Sequence, residues 1–106
     1  MVAMYMKVSP GKRKELSQAI TSLLNPIRSE KGCIRCDFFH GMEDENLFCL
    51  LKEWETLDNF AKHRKSECYK VLNGAMHLLE EPCEMIFYQR LQPDGKLQPN
   101  ELEIKQ

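Results

Sequence analysis

The chain lacks most of the features that would point at once to a chemistry. Its charge is balanced: 15 Lys and Arg against 16 Asp and Glu leave a formal net charge of -1. That balance gives no electrostatic reason to bind nucleic acid or an anionic membrane. The one basic cluster, Lys12-Arg13-Lys14, is followed by Glu15 and reads as a solvated first helical turn. No apolar run approaches the roughly 20 residues of a membrane span. Met1 to Met6 is apolar but too short for the core of a secretory signal, and Lys7 interrupts it. A Gly-rich phosphate loop, a dinucleotide fingerprint and a Ser-His-Asp order are all missing. No cofactor is therefore expected. His40, His63 and His77 show no metal-ligand spacing with one another or with cysteine, so no metal site is expected either.

Cysteine is present but in an odd number, Cys33, Cys36, Cys49, Cys68 and Cys83. Five thiols without a signal segment imply reduced, structural sulfur in a cytoplasmic protein. Cys33-Ile-Arg-Cys36 matches the C-x-x-C of thiol redox proteins, but it opens a predicted strand and not a helix. Residues three apart on a regular strand point to opposite faces, which favours packing over redox chemistry.

The remaining pattern is that of one domain of 106 residues. Residues 2–8 alternate, with Val2, Met4, Met6 and Val8 on one face, and Ser9-Pro10-Gly11 ends that strand. Leu16, Ala19, Ile20, Leu23, Leu24 and Ile27 mark one face of a helix over residues 12–29. Pro26 loosens its last turn, and Gly32 stops it. Residues 33–40 form a second strand and residues 47–54 a third, joined by an acidic hairpin loop. Thr56 is the expected N-cap of a short helix carrying Phe60 and His63. Lys65-Ser66 breaks the pattern before a last helix over residues 67–79. Pro82 precedes a fourth strand over residues 83–91.

The order β-α-β-β-α-β predicts an α+β, ferredoxin-like sandwich with a four-stranded antiparallel sheet, its second helix split. The domain is expected over residues 1–92, followed by a polar tail, residues 93–106, in which Glu101 to Lys105 alternates. Helices cover only one face of such a sheet. The other face also carries apolar side chains, so a second copy packed sheet to sheet is expected.

Several segments, in this order and spacing, resemble the antibiotic biosynthesis monooxygenase domain family of the dimeric α/β-barrel superfamily. They are Val8-Ser-Pro-Gly11, Asn25-Pro-Ile-Arg-Ser-Glu-Lys-Gly-Cys33, Leu51-Lys-Glu-Trp54-Glu and His63-Arg-Lys-Ser-Glu-Cys-Tyr69. The resemblance covers residues 2–91. It implies a homodimeric α/β barrel with a pocket between sheet and helices in each subunit. It also implies a monooxygenase that oxidises a quinol- or polyketide-like aromatic small molecule with O2, without metal or flavin. The substrate supplies the electrons; the protein supplies a cavity, a base and donors to the anion.

Carried onto this chain, the resemblance makes His63 the base and Trp54 or Tyr88 a donor, with His63 and Trp54 the expected catalytic pair. Phe38, His40, Phe60, Tyr69, Asn73 and Tyr88 become the substrate-binding set. The haem-degrading relatives bind haem through a histidine four residues after the aromatic that here is Tyr69. That position is Asn73, and their helical tryptophan is replaced by His63, so haem degradation is disfavoured. The alternative from another class is a non-catalytic dimeric small-molecule-binding or stress-related module.

Overall fold

The computed structural model describes residues 1–96. The elements are β1 (Val2–Lys7), α1 (Arg13–Arg28), β2 (Cys33–His40), β3 (Leu47–Trp54), α2 (Leu57–His63), α3 (Glu67–Gly74) and β4 (Glu84–Phe87), with a 3-10 turn over Ala75–Leu78. The sheet order is β2-β3-β1-β4 and every described pairing is antiparallel. This is the α+β ferredoxin-like fold expected from the pattern. The helices lie on one face, where Met4, Met6, Leu16, Ile20, Ile27, Phe48, Leu50 and Leu72 close the core. Among the described residues no helix is long and apolar enough to cross a membrane.

Local chemistry explains the element ends. The Thr56 hydroxyl accepts from Asn59 N–H and starts α2, and the Ser66 hydroxyl accepts from Tyr69 N–H and starts α3. The helix predicted over residues 67–79 instead ends at Gly74 and tightens into the 3-10 turn. Leu79 is extended because this stretch pairs with the end of β1. Ser9 N–H donates to Leu78 O at 2.9 Å, and Glu80 N–H donates to Lys7 O at 2.7 Å. Strand β4 is also shorter than the predicted 83–91. Its ladder follows β1 only as far as Met1, whose carbonyl accepts from Tyr88 N–H at 2.8 Å. Of the predicted tail, residues 97–106, including the alternating Glu101 to Lys105, lie outside the described residues.

One expectation about side-chain direction fails. The β2–β3 register slips between Cys33 and Arg35, so Cys33 opposes Trp54 and Cys36 opposes Lys52. The extra residue of this bulge puts both cysteines on the core face. Strict alternation had placed them on opposite faces. Burial raises both thiol pKa values, that of Cys36 to about 11. This is the reverse of the lowered pKa that redox-active thiols require.

Gly32 positions the site described next. It sits at φ +83°, and a Cβ there would lie 2.2 Å from the Asn59 side chain. Its carbonyl accepts from Glu55 N–H at 2.8 Å, which ties the α1–β2 connection to the β3–α2 turn. Gly32→Ala is therefore expected to cost about 2 kcal/mol or more, from left-handed backbone plus overlap. The thermal midpoint should fall by on the order of 10 °C. An unchanged midpoint would show that Asn59 yields without cost.

Candidate functional site

Strand β3 is central in the sheet, and its alternation turns Phe48, Leu50, Lys52 and Trp54 toward the helices. A lysine at such a position is unusual, since an ammonium in the core must find partners. Lys52 is 0% exposed. Its Nζ lies 2.9 Å from His63 Nε2 and 5.3 Å from the centre of the Tyr69 ring. His63, at the last turn of α2, is itself buried and stacks on Trp54 at 4.5 Å between centroids; Tyr69 meets it edge-on at 5.3 Å. The other imidazole nitrogen, Nδ1, lies 2.9 Å from Glu30 Oε1. Glu30 follows α1 just before Gly32, and the Ser66 hydroxyl reaches its Oε2 at 3.3 Å. Three chain segments thus meet in one line, Glu30–His63–Lys52.

The proton positions follow from the partners. A carboxylate oxygen only accepts and an ammonium only donates. The imidazole is therefore neutral, with Nδ1–H donating to Glu30 and Nε2 accepting from Lys52. The electrostatics agree. Burial, and then the charge of Lys52, hold the His63 pKa below its usual 6.5 against the pull of Glu30. Burial brings the Lys52 amine down from 10.5 to about 8, with Cys36 and Glu30 acting the other way.

A groove of about 340 Å3 opens between the α1–β2 connection, α2 and α3. Glu30, Lys31, Asn59, His63, Ser66 and Cys68 are among its lining residues. It reaches the line from the Glu30 side. Trp54, which stacks on His63 and is not among the residues lining the groove, has a buried indole Nε1–H with no hydrogen-bond partner among the described residues. An orphan buried donor costs about 1–3 kcal/mol, so a ligand oxygen that accepted from it would recover that cost.

Of the residues nominated from the sequence, the structure gathers His63, Trp54 and Tyr69. Phe60 is buried on the same helix, edge-on to Phe87 at 5.7 Å. The others lie elsewhere. Phe38 and His40 sit further along β2 and stack on Phe48, at 5.2 and 4.8 Å, because β2 runs away from Trp54. Tyr88 is bonded to the Tyr5 hydroxyl at 3.0 Å; Tyr5 alternates with Met4 and Met6 onto the uncovered face. Asn73 is exposed on α3. His77 is exposed too, with Nδ1 2.6 Å from Gly74 O. Sequence reasoning missed Lys52 and Glu30. The signal for Lys52 was available, because it shares its strand face with Leu50 and Trp54. Glu30 stood within the family-like segment over residues 25–33, but nothing in that segment pointed to a role for its carboxylate.

The family model of antibiotic biosynthesis monooxygenases matches residues 1–74. The chain belongs to the antibiotic biosynthesis monooxygenase family. It is 37% identical over 84 residues to a Bacillus subtilis (strain 168) protein named "Putative monooxygenase YcnE", covering 77% of this chain and 87% of that one. It is 27% identical over 88 residues to "Uncharacterized protein sll1783" of Synechocystis sp. (strain ATCC 27184 / PCC 6803 / Kazusa), covering 82% of this chain and 60% of that longer one. Among solved structures, the "Putative antibiotic biosynthesis monooxygenase" from Nitrosomonas europaea superposes with a TM-score of 0.80 at 21% identity, over 86% of this chain and 97% of that one. A conserved protein from Methanosarcina mazei Go1 gives 0.77 at 24% identity, over 82% and 87%. These likenesses place the ferredoxin-like fold within the family.

The lowered pKa values dictate a pH dependence. Between about 8 and 10.5 the folded family member has released the Lys52 proton and the unfolded chain has not. Stability therefore rises with pH through that window, by on the order of 2–3 kcal/mol. Below 6.5 the unfolded chain takes up a proton that buried His63 refuses, so stability is lost on acidification. Lys52→Met removes the buried ammonium but leaves the buried His63 Nε2 without its partner, which offsets any gain at pH 7, and it should lack the alkaline gain. Denaturant unfolding at pH 7, 8.5 and 10 measures both. An alkaline gain that persisted in the variant would assign it to other groups.

Proposed function

We propose that the protein is a cofactor-independent monooxygenase that oxidises a quinol- or polyketide-like aromatic small molecule with O2, working as a homodimer. The observation that carries this reading is the buried Glu30–His63–Lys52 line beside the orphan Nε1–H of Trp54. It combines a proton acceptor with a cation and a donor for an oxyanion, which are the groups needed once a substrate brings its own electrons. Family membership and the name of the Bacillus subtilis relative support the reaction class.

In this reading the site takes the phenolic proton. The resulting electron-rich anion reduces O2; one oxygen atom joins a ring carbon and the other leaves as water. For a quinol with an open ring position, quinol plus O2 then balances hydroxyquinone plus water. A groove of about 340 Å3 lies at the small end of ligand sites and favours one- or two-ring substrates. Trp54 and Tyr69 pack on the imidazole behind the groove lining, so a substrate that reached them would have to pass His63. The second copy would cover the sheet face that carries Phe39, 50% exposed, and Tyr88, 44% exposed.

Oxygen uptake by metal-stripped protein across a panel of hydroquinones and anthrones tests the reaction. The expected result is uptake above autoxidation that falls at least about 100-fold in His63→Ala. Trp54→Phe should lose about tenfold or more in rate while unfolding no earlier than wild type, since it removes an unsatisfied donor. A ligand that raises the thermal midpoint without forming product would favour the non-catalytic binding module. Light scattering at micromolar concentration should give twice the monomer mass, and a monomer would refute the homodimer.

A further inference from the structure

The site nominated His63 as the base, yet neither of its ring nitrogens is free. Nε2 accepts from Lys52 and Nδ1 carries the proton given to Glu30. The imidazole is also 0% exposed at its side chain, whereas Glu30 is 20% exposed and both residues line the groove. A substrate in the groove therefore meets a carboxylate oxygen before it meets a basic nitrogen. Glu30 Oε1 is committed to His63. Among the described residues, the donors that meet Glu30 besides His63 are weak. One is the Ser66 hydroxyl at 3.3 Å, which is already 2.7 Å from His63 O; the other is the nearby Cys68 thiol.

We infer that the proton passes from the groove to Glu30 and not to His63, and that Lys52 is the positioning residue that imposes this direction. The inference rests on the reaction class proposed above. Lys52 can only donate to Nε2, which forces the ring proton onto Nδ1 and points the whole line toward Glu30. It also places the positive charge on the buried amine. Without it, the imidazole would lose one of the two causes that hold its pKa down, leaving burial alone against the pull of Glu30. In the substrate step the O–H bond of the phenol breaks, a carboxyl O–H forms at Glu30 Oε2, and the electron pair stays on the phenolate, which O2 then oxidises. Lys52 touches no substrate. It keeps a positive charge close behind the imidazole, offsetting the anion formed in the groove.

Nitrogen-15 NMR of histidine-labelled protein reads the direction without any turnover. At pH 7 wild-type His63 should be neutral with its proton on Nδ1. An Nε2–H tautomer or an imidazolium in the wild type overturns the inference. In Lys52→Met the His63 pKa should rise relative to wild type, because the ammonium 2.9 Å from Nε2 is gone while burial remains; an unchanged titration removes Lys52 from the role. Glu30→Gln keeps an acceptor oxygen for Nδ1–H but cannot take a proton. Its His63 signal should match wild type while oxygen uptake with reduced 1,4-naphthoquinone falls about 100-fold. Full uptake in Glu30→Gln refutes proton acceptance by Glu30. No uptake by the wild type refutes the functional reading and the substrate step with it, whereas the expected His63 spectrum would still establish the relay.

Discussion

The hydrogen bond between Lys52 and His63 is the contact on which the rest of the arrangement depends. An ammonium in a core is tolerable only when its partner is fixed, and the partner here is held from every side. Trp54 stacks on one face of His63 and Tyr69 meets it edge-on. Glu30 takes the far nitrogen, and the Thr56 cap sets the start of the helix that carries the imidazole. Each support comes from a different segment, so the polar line also acts as a pin between the sheet and the helix layer. Gly32 allows the closest of these approaches, because any side chain there would meet Asn59.

Topology explains why the line forms at this end of the domain. β3 lies between β2 and β1 and delivers Lys52 and Trp54 to the covered face at its C-terminal end. The chain leaves that end directly into α2, which brings His63 back over the strand it has just left. The break at Ser66 then turns α3 so that Tyr69 closes against the same imidazole. A single unbroken helix would have carried Tyr69 past the site. The bulge in β2 adds Cys33 and Cys36 to the wall around Lys52, where burial keeps the thiols protonated and the surroundings weakly polar.

Chemistry of this kind suits a protein that leaves electron supply to its substrate. The charges of Glu30 and Lys52 offset each other across a neutral imidazole, so the empty site holds no unpaired charge; in the proposed step, protonation of Glu30 would leave the Lys52 charge to attract the anion. The orphan indole N–H adds directionality. Both features cost stability in the empty protein, as expected where function opposes packing.

Much of the fold was legible along the chain. Alternation located β1 and β2, a nearly continuous apolar run located β3, the three-and-four spacing located α1, and Thr56 marked the start of α2, because each depends on neighbours within one element. His63, Trp54 and Tyr69 were legible for the same reason, as aromatic and titratable groups near element junctions. Phe38, His40 and Tyr88 do not meet His63, because strand direction and face, and not spacing, decide which aromatics come together. The last helix was read too long, since the backbone groups that end it belong to β1. Sequence alone determined the element order and the apolar faces, which local periodicity encodes, and pointed to the family through the resemblance of several segments in their order and spacing. Tertiary structure alone decided that Glu30, His63 and Lys52 form one line. Hydrogen bonding acts over about 3 Å in space, and the residues that meet there lie up to 33 positions apart in the chain.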